Sequence, residues 1–237
     1  MDEASTLPPT LAAMLGRTTL FETLAPAARE ACAAAFRPVR FSQGQTLFSR
    51  GDPGDQLLLV GEGRIRLAVT TEDGRELSVR HAAAGDLLGE IAMLDEGLRS
   101  ADAVALVPSL VHVLRRSQFL TLLARYPDIG LGAIALLCRR LRETTDQLEG
   151  IALFPIEVRL ARFLLVSLKG REAPPGKRVP LEMAMSQGEL AQLLGASRPK
   201  VNAALGALEA AGAIRRTSDR LFCDPALLAR SAGLADG

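Results

Sequence analysis

The chain has 237 residues, 48% of them hydrophobic, no tryptophan and a net charge of +1. That length holds one large or two modest domains, each with its own core, and the near-zero charge excludes a global basic field. Three scattered cysteines (Cys32, Cys138, Cys223) and two histidines (His81, His112) give no metal-ligand spacing and too few groups for a catalytic set, and no apolar run reaches membrane-spanning length.

Residues 1–35 read as Ala-rich helix broken by Pro8, Pro9 and Pro26. From Phe36 short apolar stretches recur at 39–41, 57–60, 65–69, 77–79 and 110–114, separated by Gly-containing turn signals. Such spacing predicts an antiparallel sandwich or barrel, with His81 and His112 as ordinary strand residues. Glu72-Asp73-Gly74-Arg75 predicts a hairpin turn, because Asp-Gly tolerates positive φ.

Within this stretch, Gly89-Glu90-Ile91 and Arg99-Ser100-Ala101 place a carboxylate, a guanidinium and a hydroxyl in thirteen residues, expected on one short loop. A carboxylate accepts from a sugar hydroxyl, and an arginine grips a phosphate with parallel charge-assisted bonds. Glycine and small neighbours let backbone N–H groups approach the same anion. Sugar and phosphate together indicate a nucleotide, and the single basic residue indicates one phosphate charge.

From Pro127 to Pro155 nothing interrupts a helical period. Ile134, Leu137, Leu141, Thr144, Leu148 and Ile151 alternate by three and four, an a/d seam for helix pairing, while Leu131 and Leu136 offer a second apolar face. One face on the barrel and one on a second copy of the chain satisfies both, so a symmetric homodimer is expected. Pro155 marks a hinge, residues 156–169 a further amphipathic helix, and residues 169–176 a loop.

Ser186 and Glu189 form a capping box, Leu190, Leu193 and Leu194 an apolar face, and Gly195 a left-handed turn. Ser197 then caps a second helix with Pro199 in its first turn, and Val201 and Leu205 close the core. The spacing from Ala191 to Gly195 to Val201 predicts a DNA-binding helix-turn-helix. Ser197, Arg198, Lys200 and Asn202 are not needed for packing and are expected in the major groove, with Gln187 of the first helix as a further DNA contact. Ile214-Arg215-Arg216 and Leu221-Phe222-Cys223, joined through Ser218-Asp219-Arg220, predict a β-hairpin wing touching phosphates. The residues from Ile151 onward carry a net charge of +4 and the remainder −3, which favours a C-terminal part that meets polyanions.

In this order the motifs resemble the Crp/Fnr family of bacterial transcription regulators, most of all its catabolite-activator branch, over nearly the whole chain from about Phe21 to Phe222. The resemblance implies an α+β fold: a cyclic-nucleotide-binding β-barrel (jelly roll) over 1–126, a dimerisation helix and hinge over 127–154, and a winged helix-turn-helix over 155–237. It implies that Glu90 accepts from the ribose 2′-OH. Arg99 and Ser100 would hold a cyclic phosphate beside Gly89, Ile91 and Ala101. Thr144 would meet the base in its own subunit, and Thr145 the ligand of the partner. The effector is expected to be a 3′,5′-cyclic purine nucleotide, cAMP first and cGMP as the alternative, with no metal. The expected partners are an operator duplex, a second copy and RNA polymerase; no membrane is expected. A ligand-independent or redox-responsive regulator of the same family is the other alternative. Pro199 and Ala203 depart from the family's recognition helix, which puts the operator sequence in doubt. With Asp2 and Glu3 where a leader would be basic, the chain is expected in the cytoplasm, and no enzyme activity is expected.

Overall fold

The computed structural model describes residues 10–72, 76–168, 178–182, 186–217 and 220–234. The chain divides into two compact units at 143/144. Among the described residues no helix is long and apolar enough to cross a membrane.

The first unit opens with α1 (Leu11–Leu15), whose Thr10 Oγ1 accepts from Ala13 N, and α2 (Pro26–Ala35), which places Pro26 where a missing N–H costs nothing. Eight strands follow: β1 (Arg37–Phe41), β2 (Thr46–Phe48), β3 (Gln56–Glu62), β4 (Arg64–Thr70), β5 (Glu76–Ala83), β6 (Leu87–Leu88) and, after the helix α3 (Glu90–Asp95), β7 (Asp102–Ala105) and β8 (Ser109–Arg115). They form two antiparallel four-stranded sheets, ordered β1-β8-β3-β6 and β2-β7-β4-β5.

The run Leu57-Leu58-Leu59-Val60 on β3 is buried throughout because the strand is covered on both faces. Leu58 and Val60 pack between the sheets with Ile65, Ala82, Leu88 and Val111. Leu57 and Leu59 pack against a helical layer that includes Leu15, Phe21, Cys32 and Phe119.

Two further helices end the unit, α4 (Arg116–Arg125) and the first part of α5 (Asp128–Leu153). Ile129, Ala133 and Leu136 join the helical-layer core, whereas Leu131 is 69% exposed and does not extend that face as the sequence suggests. Along the expected seam, Ile134 (60%), Leu141 (69%) and Leu148 (66%) are exposed. The side chain of Ile151 lies outside the described residues, as does the Asp73-Gly74-Arg75 turn, although β4 and β5 pair from Thr70↔Glu76 onward.

The second unit continues from α5 into α6 (Ile156–Ser167), β9 (Val179–Glu182), α7 (Gln187–Leu193), α8 (Arg198–Ala210), β10 (Ile214–Arg216), β11 (Arg220–Cys223) and α9 (Pro225–Ser231). Leu160, Leu190, Val201, Leu205, Ile214 and Leu228 meet in its core. β10 and β11 form the expected wing, and β9 adds a third strand beside β11, which the sequence reading lacks. The loop expected over 169–176 and the Ser218-Asp219 tip lie outside the described residues.

Candidate functional site

The Gly89–Ala101 cassette is a strand–turn–helix, not one loop. β6 ends at Leu88, Gly89 takes φ +75°, and Glu90 opens α3. That φ favours glycine, and a Cβ at position 89 would overlap Arg99 Nη1. Arg99 is only 5% exposed. Its Nη1 donates to Gly89 O (3.0 Å), its Nη2 to Gln56 O (3.0 Å), and its guanidinium lies 4.4 Å over Phe48. Arg99 Nε is buried with no hydrogen-bond partner among the described residues. Burial pulls the Arg99 pKa down, against Asp55, Glu90 and Asp52. A buried guanidinium held by carbonyls, with donors to spare, is arranged to receive an anion. Ser100 is exposed beside it, Ala101 is buried, and the Ile91 side chain is 44% exposed on α3.

Glu90 is 5% exposed and is not waiting for a ligand alone. Arg140 of α5 donates from Nε to Glu90 Oε1 (2.9 Å), from Nη1 to Glu143 Oε2 (2.8 Å) and from Nη2 to Leu87 O (3.1 Å). Burial would lower the Arg140 pKa, but Glu90 and Glu143 more than offset it and leave it raised. Arg80 of β5 donates from Nη2 to the same Leu87 carbonyl (2.8 Å). Burial and then Arg140 pull the Arg80 pKa down, against Glu90, Asp86 and Glu143. Sequence reading missed Arg80 and Arg140. Each stands among ordinary strand or helix residues, and only the packing of β5 and α5 around β6 brings them to Glu90. Thr144 and Thr145 are exposed on α5, just past the division between the two units.

A separate cleft of about 660 Å³ is lined by Met14, Thr18, Glu62, His112, Arg139 and Arg140, among others, and reaches none of Glu90, Arg99 or Ser100. His112 Nδ1 is buried there without a partner among the described residues, and burial holds the imidazole pKa below 6.5 against the pull of Glu62. Protonation therefore favours the unfolded chain, and stability conferred by neutral His112 is lost as pH falls below about 6.5 towards the folded pKa. Melting temperature measured between pH 7.5 and 5.5 should fall less steeply for His112→Asn than for the parent; identical slopes would refute this. Among the described residues no group of three or more His, Cys, Asp or Glu could hold a metal.

In the second unit, Ser186 Oγ accepts from Glu189 N (3.2 Å) and Glu189 Oε2 from Ser186 N (2.7 Å), closing the expected capping box. Gly195 turns the chain with φ +59°. Ala196 N donates to Ala191 O (2.9 Å), and Arg159 Nη1 caps Leu194 O (2.6 Å). Ser197 occupies the N-cap of α8, but its side chain makes no cap hydrogen bond, unlike the sequence expectation. The buried side of α8 is Val201, Ala204, Leu205 and Leu208. Ser197, Arg198, Lys200 and Asn202 are exposed on its first turns, and Gln187 is half-buried at the start of α7. On the wing, Arg215 stacks 5.0 Å from the Phe222 ring, and Arg220 pairs with Glu182 at 3.1 Å.

Residues 38–126 match the cyclic nucleotide-binding domain family, and residues 158–231 match the Crp-like helix-turn-helix domain. The chain is 30% identical, over 92% of its length and 98% of the relative's, to the CRP-like cAMP-activated global transcriptional regulator of Mycobacterium tuberculosis. It belongs to the Crp family. A second Crp-family relative, the cyclic AMP receptor protein of Thermus thermophilus, is 35% identical over 83% of this chain and 88% of its own. The crystal structure of Thermus thermophilus catabolite activator protein covers 92% of this chain and 100% of its own at 34% identity, with a TM-score of 0.54. As a Crp-family member the chain is a transcription regulator with a cyclic nucleotide-binding domain and a DNA-binding helix-turn-helix, and it is not an enzyme.

Proposed function

We propose that the chain is a homodimeric regulator whose affinity for operator DNA is set by a 3′,5′-cyclic purine nucleotide. cAMP is the first candidate because the Mycobacterium and Thermus relatives are named for it, and cGMP is the rival. The observation that carries this reading is the pair of buried, oppositely charged side chains, Glu90 and Arg99, built around one left-handed glycine. Glu90 receives the ribose hydroxyl. Arg99 and Ser100 hold the phosphate beside Gly89, Ile91 and Ala101, and Thr144 and Thr145 meet the base from the two subunits. Residues 1–126 take the effector, 127–154 dimerise and hinge, and 155–237 bind DNA.

The exposed stripe Ile134, Leu141 and Leu148 supports pairing of two α5 helices, since exposed apolar stripes of this kind mark partner surfaces. The nucleotide then biases how the DNA-binding halves turn about Phe154-Pro155, and two α8 helices meet half-sites about one helical turn apart. RNA polymerase is the further partner, and the cytoplasm the site of action.

The test is affinity for DNA selected from a random-sequence pool, measured with and without cAMP or cGMP. Equal affinity in all three conditions removes the allosteric reading, because a ligand that prefers neither state shifts nothing. Arg198→Ala should weaken operator binding by about 1–3 kcal/mol and relax choice at one base pair, leaving nucleotide affinity unchanged. Uniform loss across all sequences would instead make Arg198 a phosphate contact.

A further inference from the structure

The cleft of about 660 Å³ in the first unit takes no part in the function proposed above. Its volume is that of a small-molecule site, where an apolar wall is joined by a few convergent polar groups. Met14, Leu87, Leu110 and Leu136 supply the apolar wall. Part of the lining is held rigidly. In the turn between β5 and β6, Gly85 N donates to Val60 O (2.8 Å), and Val60 N donates to Asp86 O (2.9 Å). Gly61 also lines the cleft, and a Cβ there would meet His112 Nε2 at 2.9 Å, so the glycine makes room for the imidazole on that wall.

The polar groups say what the cleft would take. Arg17 and Thr19 lie just after α1 and face into it, and neither side chain has a hydrogen bond or ion pair among the described residues. α5 packs closely on this segment, since a Cβ at Gly132 would overlap Leu20 O, and further along α5 Leu136, Arg139 and Arg140 join the lining. The two carboxylates of the lining are already committed. Asp86 Oδ2 accepts from Ala83 N (2.9 Å), and Glu62 acts on His112. Arginine only donates and a threonine hydroxyl can donate beside it, so the unengaged pair asks for an anionic acceptor. With an aliphatic wall next to it, that acceptor is a carboxylate on a hydrocarbon body.

We propose that this cleft is a second small-molecule site, taking an organic carboxylate with an aliphatic body whose head meets Arg17 and Thr19. Arg140 lines the cleft and also holds Glu90, so an occupant is linked to the effector pocket. The link rests on the cyclic-nucleotide reading; the site itself does not.

Calorimetric titration of the full-length protein with sodium octanoate tests the site, with 1-octanol as the uncharged counterpart. One octanoate should bind per chain, and 1-octanol should bind roughly ten-fold more weakly. Arg17→Met removes the charged donors and should weaken octanoate by roughly the same factor. Met14→Trp fills the apolar wall and should abolish binding; circular dichroism checks its fold, and the exposed Arg17 carries the test if it does not fold. No octanoate binding by the parent, equal binding of 1-octanol, or an Arg17→Met affinity equal to the parent's would overturn the site. Saturating cAMP or cGMP should shift octanoate affinity by about five-fold or more, and an unchanged affinity overturns the link. If the parent binds octanoate but neither nucleotide, the effector reading and the link fall together while the site stands.

Discussion

Arg99→Ala should lower cyclic-nucleotide affinity by roughly two to three orders of magnitude in calorimetric titration. Each charge-assisted hydrogen bond to an ionised partner contributes about 1.5–3 kcal/mol, and a guanidinium offers a phosphate two at once. The structure explains why this arginine can spend donors on a ligand. Its two terminal nitrogens are steadied by Gly89 O and Gln56 O, its plane by Phe48, and Nε is left over. Arg99→Lys should fall between parent and Ala variant, because an ammonium cannot span both carbonyls and the anion. Circular dichroism checks that the roll is intact. Affinity equal to the parent's in a folded Arg99→Ala protein would remove the phosphate assignment.

Arg140→Met should destabilise the N-terminal unit by about 3–5 kcal/mol, the usual cost of removing one partner of a buried ion pair. Arg140 and Glu90 side chains are 17% and 7% exposed, so solvent screens their contact little. Without Arg140 the Glu90 carboxylate is left in the interior beside a carbonyl, Leu87 O, that also loses a donor. Adding Glu90→Gln to Arg140→Met should recover much of the loss, since a neutral amide tolerates burial better than an unpaired charge. Differential scanning calorimetry at one protein concentration for all variants measures both effects, because a dimer's melting depends on concentration. Additive single and double effects would show that the two residues are not coupled. In the proposed reading the same contact links the effector to α5, since a ribose hydroxyl that engages Glu90 would share it with Arg140.

Local chemistry made some elements readable. The apolar run 57–60 declared a strand, and the Ser186–Glu189 box with Gly195 declared the helix-turn-helix. Glu90 and Arg99 could be paired because they lie in one short segment. Elements resting on long-range pairing were not readable. β6 is two residues long, and β7 is mostly small side chains around Val104 with little β-propensity. β9 is a short strand containing Pro180 and qualifies only because it lies at the edge of its sheet. Arg80 and Arg140 joined the site for the same reason. Nothing adjacent to either in the chain signals a carboxylate fifty residues or ten residues away in sequence, such as the Arg140–Glu90 pair. The α3 helix was hidden by its length, too short for a period to show.

Gly89 has a bearing on how this protein can evolve. One position supplies both the backbone turn that launches α3 and the empty space into which the Arg99 guanidinium fits. Any side chain there would disturb the turn and the arginine seat in the same mutation, so the proposed phosphate end of the pocket has no half-altered intermediate through which to drift.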